Sequence, residues 1–219
     1  MARHLKFFVA VAMAAALAIA GHLVEKLWLV YIFKPLATVL ILAVALGNAA
    51  KTKLLFARWI AIGIFFSLFG DVLLIWPNKW FLPGLAVFLL AHVAYLAAFT
   101  RDAKFPASAI VWLALLAVAA ANFLALRAHL PRGLAPPVAI YAFALATMTA
   151  QAIGRALLLH TLAANFAALG AVFFLLSDTL LGWSRFYHTT PLAPVFILAP
   201  YFAAQFLFAL STMPDPSPS

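Results

Sequence analysis

Eight apolar runs, each close to the length of a bilayer crossing, occupy nearly the whole chain and constrain its fold more than any other feature. They are Leu5–Val24, Trp28–Leu46, Leu55–Trp76, Trp80–Thr100, Pro106–Leu126, Pro136–Arg155, Leu162–Trp183 and Pro191–Thr212. A hydrocarbon core about 30 Å thick takes roughly 20 helical residues to cross. The segments between the runs are short and carry turn or charged residues, such as Pro77-Asn78-Lys79 and Arg101-Asp102-Ala103-Lys104. Pro106 and Pro136 stand where helices are expected to open, because a missing N–H costs little there. No run alternates as a lipid-facing barrel strand would. Hydrophobic residues make up 68% of the chain and charged residues only 9%, against about 25% charged in a soluble domain. One water-soluble core cannot hide that much apolar surface.

The expectation is therefore an all-α polytopic membrane protein of eight transmembrane helices, forming one domain over residues 1–213. A disordered tail is expected at 214–219. The first run follows Arg3, His4 and Lys6, in the manner of a signal peptide, and is read as a retained helix. The net charge of +9 comes from basic residues spaced singly or in small groups. They fit membrane orientation better than a nucleic-acid partner. Eight crossings put both termini on one side, with Arg3, Lys6, Lys51, Lys53, Arg58, Arg101, Lys104 and Arg155. Lys26, Lys79, Arg127, Arg132 and Arg185 lie on the other. The bias expects cytoplasmic termini. Cysteine is absent, which excludes disulfides, thiol nucleophiles and cysteine metal sites.

Phe66–Trp76 is similar to Phe173–Trp183. A constant offset aligns Asp71 with Asp178, Leu73 with Leu180, Leu74 with Leu181 and Trp76 with Trp183. Two parallel four-helix repeats, about 1–104 and 105–213, are expected on that basis.

Ionisable groups inside hydrocarbon are costly and mark interiors or wet cavities. Asp71 and Asp178 each lie five residues before a tryptophan, so they share a depth of roughly 7–8 Å from the helix end. Lys34 enters from the same side. His92 and Tyr201 lie deeper, and Tyr95 and Gln205 follow them at spacings of three and four residues, on the same helical faces. One pocket drawing on five helices is expected. The same residues also have a structural reading, with acids and Lys34 acting as polar ties between helices and His92 as a packing residue. Tyr95, Tyr201 and Gln205 fit positioning groups better than proton carriers. Trp76, Trp80 and Trp183 suit an interfacial belt. No His-Glu-x-x-His, nucleophile elbow or phosphate-cradling glycine loop is present. Acid–base chemistry without metal or cofactor is the expectation.

Lys34-Pro35-Leu36, Gly70-Asp71-Val72-Leu73-Leu74, Ala91-His92-x-x-Tyr95, Ser177-Asp178-Thr179-Leu180-Leu181 and Tyr201 with Ala204-Gln205 together resemble the YhhN family of transmembrane lysoplasmalogenases. The likeness runs from about Tyr31 to Leu210. It implies eight membrane helices and hydrolysis of the vinyl ether bond of lysoplasmalogens, giving a fatty aldehyde and glycerophosphoethanolamine or glycerophosphocholine. A lysophospholipid substrate, surrounding membrane lipids and no obligate protein partner follow, with a bacterial inner membrane as the expected location. Asp71 and Asp178 would share the acid and base roles, since two acids in low dielectric split their titrations. Lys34 would hold one acid ionised or meet the lipid phosphate, and His92, Tyr95, Tyr201 and Gln205 would orient water and headgroup. A transporter or lipid-binding protein, and an intramembrane aspartyl protease, are the competing readings.

Overall fold

The computed structural model describes the backbone of residues 2–52 and 55–213 and the side chains of 7–50 and 55–213. The side chains of Arg3, Lys6, Lys51 and Lys53, and the tail at 214–219, lie outside the described residues. Eight helices and, among the described residues, no strand make up the fold: α1 (Ala2–Leu23), α2 (Leu27–Thr52), α3 (Leu55–Leu73), α4 (Pro77–Phe99), α5 (Ala109–Arg127), α6 (Ala135–Leu159), α7 (Leu162–Phe186) and α8 (Ala193–Leu210). The seven from α2 to α8 are long and apolar enough to cross a membrane, whereas the apolar part of α1, Phe7–Leu23, is shorter. Large apolar side chains cover the outside, as on α5, where Ile110, Leu113, Val118 and Leu124 are exposed. In water that surface would be prohibitive; in lipid it is the expected one. This is an integral membrane protein.

Helix ends follow local chemistry rather than hydropathy. Pro106 does not open α5. The Ser108 side chain accepts a hydrogen bond from the Val111 N–H instead, so the helix starts after that cap. Pro77, expected in a connection, instead begins α4, which then loses helical geometry at Trp80 (φ −120°, ψ 17°). Pro83 explains the break, because its ring removes the bond to Lys79 and crowds that carbonyl. Only His160 and Thr161 separate α6 from α7. His160 turns the chain with φ 52° and Thr161 caps α7 by accepting from the Ala164 N–H.

Six helices close a ring in the order α2, α3, α4, α6, α7, α8, with α8 returning to α2. Outside it, α1 lies against α2 and α8, and α5 against α6 and α7. The ring is filled by aromatic residues. Phe174 sits among Phe88, His92, Tyr95, Tyr201 and Phe208, with ring centroids 4.9–6.3 Å away. Antiparallel α3 and α4 approach closely because Gly63 faces the Tyr95 ring and Gly70 the Phe88 ring, seven residues apart on both helices. Small residues at such contacts replace the missing hydrophobic drive between helices in lipid.

The end of the ring nearest the α4–α5 connection is sealed by polar ties. Arg155 grips the Asp102 carboxylate with two hydrogen bonds of 2.6 Å. The same guanidinium lies 4.5 Å over the Phe56 ring. Gln151 accepts from the Ala107 N–H and donates to the carbonyls of Phe99 and Ala103. Irregular backbone is thereby satisfied from within the protein, as a bilayer setting requires.

A Cβ added at Gly63 would stand 2.2 Å from the Tyr95 ring, whereas one at Gly47 meets nothing within 4 Å. Gly63→Ala is expected to lower unfolding stability in detergent by about 1–3 kcal/mol. Gly47→Ala is expected to leave it unchanged or raise it by up to about 1 kcal/mol. Equal melting temperatures for the two variants would show that the α3–α4 contact is looser than described.

Candidate active site

Opposite the sealed end, a cavity of about 460 Å³ opens between the helices. Asp71 of α3 and Asp178 of α7 both line it, with Lys34, Tyr201, Ser177 and Arg185. Helices α3 and α7 do not pack on each other, so the two acids stand on separate walls. Pro77, the first residue of α4, and Thr189, in the α7–α8 connection, also line it and mark its mouth.

Each acid is held by groups from neighbouring helices. Asp71 is 1% exposed. Its Oδ2 accepts from Thr38 Oγ1 of α2 at 2.6 Å and from the Tyr201 hydroxyl of α8 at 2.6 Å. Its Oδ1 is 3.4 Å from Lys34 Nζ, which also donates to the Asp71 backbone carbonyl. Asp178 Oδ2 accepts from the Tyr141 hydroxyl of α6 and lies 3.4 Å from His92 Nε2 of α4. His92 Nε2 and the Tyr141 hydroxyl are 2.9 Å apart, so phenol, imidazole and carboxyl form one cluster.

Of the residues singled out in the sequence, Lys34, Asp71, Asp178 and Tyr201 line the cavity itself. His92 reaches it through Tyr141 and Asp178. Tyr95 and Gln205 are not on its wall. The Tyr95 hydroxyl donates to Gln205 Oε1 at 2.7 Å and lies 3.2 Å from Ser67 Oγ, a separate buried polar layer. Among the described residues no three His, Asp or Glu side chains gather as metal ligands would.

Sequence reading passed over Thr38 and Tyr141. Thr38 is one turn beyond Lys34, on the same face. Tyr141 had a stronger signal, since the offset that carries Asp71 onto Asp178 carries Lys34 onto Tyr141. The same offset carries Gly63 onto Gly170, where an added Cβ would meet the Phe208 ring at 2.9 Å.

Residues 29–212 match the model of the YhhN family. The chain belongs to the YhhN family. Among its relatives, the lysoplasmalogenase TMEM86B of Rattus norvegicus is 37% identical over 150 residues, covering 68% of this chain and 59% of that protein. TMEM86B of Homo sapiens is 35% identical over 153 residues, covering 69% and 62%. A protein named lysoplasmalogenase from Mycobacterium tuberculosis is 32% identical over 182 residues, covering 80% and 67%. The aligned part spans less than two thirds of either TMEM86B protein. No solved structure matches the chain.

In this YhhN member the Lys34–Asp71 pair joins two buried charges, 8% and 1% exposed at the side chain. Removing one partner leaves the other uncompensated. Lys34→Met is expected to cost about 3–5 kcal/mol, and the double variant Lys34→Met/Asp71→Asn to recover part of it. Chemical unfolding in mixed micelles measures the cycle. Strict additivity of the single substitutions would show that the two charges are uncoupled.

Proposed function

We propose that this YhhN protein hydrolyses the vinyl ether bond of lysoplasmalogens within the membrane, releasing a fatty aldehyde and a glycerophospho-alcohol. The observation that carries this reading is the pair of carboxyl groups on opposing helices that share one cavity. The names of the mammalian and mycobacterial relatives support it.

The reaction needs a proton on the carbon β to the ether oxygen. As the new C–H bond forms, the double bond becomes an oxocarbenium ion. Water adds at the carbon attached to oxygen and gives up a proton to a base. The resulting hemiacetal gives its hydroxyl proton back to the acid that lent the first one and loses the glycerol oxygen, which takes a proton, and the aldehyde departs. One water is consumed, and each proton lent is returned. Asp178 is the proposed proton donor and Asp71 the stabiliser of the cation and acceptor from water. On Asp71, Oδ2 already accepts two hydroxyl hydrogen bonds and Oδ1 faces an ammonium. On Asp178 the recorded contacts gather on Oδ2, and Oδ1 is the proposed carrier of the transferred proton. The His92–Tyr141 pair stands ready to reload it. Positioned acid–base groups of this kind contribute roughly 10²–10⁴-fold.

The halves 1–104 and 105–213 are proposed to be duplicated units, because Asp71 with α2 and α8 repeats as Asp178 with α6 and α4. Both termini are proposed to lie in the cytoplasm of a bacterial cell, with the cavity opening toward the outer leaflet of the inner membrane, following the distribution of basic residues.

Asp178→Asn and Asp71→Asn are each expected to lower aldehyde release from a lysoplasmalogen by roughly 10²–10⁴-fold, Asp71→Asn being assayed on the folded fraction because it also leaves Lys34 without its partner. In D₂O the aldehyde should carry one solvent deuterium at C2, the carbon that receives the proton. Full turnover in either folded variant, or aldehyde without that label, would overturn the assignment.

A further inference from the structure

Asp178 borders a second space as well as the large cavity. It is a narrow slot of about 90 Å³ walled chiefly by apolar residues of α4, α5, α6 and α7. Phe88, Phe123, Leu145 and Leu175 are among its lining, and Asn122 and the Tyr141 hydroxyl are among its few polar groups. Its outer wall is α5, the helix most exposed to lipid. Polar cavity and apolar slot share Leu74, Phe81, Phe88 and Leu181 as well as Asp178, whose carboxyl is the ionisable group common to both.

Arg185 lies on the same helix as Asp178, seven residues further on and at the mouth of the large cavity. Seven residues are close to two full turns, which places Arg185 above Asp178 on one face at a rise of about 10.5 Å. Lys34, the other cation on the cavity wall, is engaged by Asp71. Arg185 is exposed, with one guanidinium nitrogen 2.9 Å from Asn78 Oδ1 and the other donating to the Pro77 carbonyl. A guanidinium has five N–H donors in a planar fork suited to phosphate. Those two contacts leave donors for an anion.

We infer that α7 acts as a ruler for the lysolipid: Arg185 binds the phosphate, Asp178 meets the vinyl ether, and the slot under α5 takes the first carbons of the alkenyl chain. This rests on the hydrolase reading above. From the β-carbon of the vinyl ether to a phosphate oxygen there are eight bonds, and an extended chain advances about 1.2 Å per bond, or about 10 Å in all. That length matches the rise along α7 between the two residues. The remainder of the alkenyl chain lies in the membrane beside α5, since the slot is too small to hold it whole. Ser184 and Thr189 are also on the cavity wall; Ser184 donates its hydroxyl hydrogen to Thr189 Oγ1 at 3.0 Å, which leaves the Thr189 hydroxyl as the donor for the phosphate end.

The test uses the full chain in detergent micelles. Binding of a non-hydrolysable 1-O-alkyl lysophospholipid is compared with that of the corresponding 1-O-alkylglycerol, which lacks phosphate. Arg185→Gln is expected to weaken the phospholipid by roughly 10- to 100-fold and leave the alkylglycerol unchanged. Arg185→Lys should recover part of the loss. Asn78→Ala, which removes a tie of Arg185 but not its charge, should bind like the parent. On the vinyl ether substrate, Arg185→Gln should raise KM with kcat nearly unchanged, the mark of uniform binding lost. Equal weakening of both ligands, or loss in Asn78→Ala to match that in Arg185→Gln, would make Arg185 a structural brace and overturn the ruler. An unmodified protein that binds phospholipid through Arg185 but cleaves no vinyl ether would instead sink the hydrolase reading. Cleavage with binding indifferent to Arg185 would sink only the phosphate site.

Discussion

A carboxyl group carried into hydrocarbon must find its partners inside the protein, and in this chain that requirement organises the bundle. Asp71 on α3 draws its donors from α2 and α8, and Asp178 on α7 draws its own from α6 and α4. None of these side-chain partners comes from the acid's own helix. Satisfying both acids therefore brings together six helices, and those six are the ones that close the ring. Helices in lipid gain little from hydrophobic association. The polar ties, and the close contacts that Gly63, Gly70 and Gly170 permit, supply what burial supplies in water.

The two ends of the ring use polar groups differently. At the α4–α5 connection, Arg155 and Gln151 are spent on Asp102 and on backbone groups. At the other end the polar groups face a cavity, with Arg185 and Thr189 beside its mouth. A lysolipid has the matching division, one apolar chain and one charged head. On the proposed function, an open end beside the membrane surface lets the head stay near water while the bond to be broken reaches the acids.

The helical spans were legible because a bilayer imposes a length, and each expected run became a helix. Their ends were less so. Pro106 reads as a helix start, yet the Ser108 cap overrides it; Pro83 breaks α4 one turn before itself, at a place hydropathy does not mark. Asp71 and Asp178 stood out since charges are rare in such helices. Tyr141 and Thr38 did not, because a hydroxyl on an apolar helix is an ordinary residue until a carboxylate is set beside it. Tyr95 and Gln205 illustrate the opposite limit. A helical wheel assigns a face but not a layer, and these two met each other rather than the cavity.

The proposed duplication bears on the unlike roles proposed for two like acids. Under that duplication α2 and α8 around Asp71 correspond to α6 and α4 around Asp178, and the side chains they offer differ: the offset sets Lys34 of α2 against Tyr141 of α6, while α8 contributes the Tyr201 phenol and α4 the His92 imidazole. One acid thus has a fixed ammonium beside it, while the other faces a pair of groups that can pass a proton between them. Identical surroundings would give neither carboxyl a preference for donor or acceptor. Under the proposed duplication, a repeated scaffold with divergent partners distinguishes two like acids chemically. On the proposed mechanism the asymmetry between the two acids then resides in the five side chains that hold them, Lys34, Thr38 and Tyr201 at one and Tyr141 and His92 at the other.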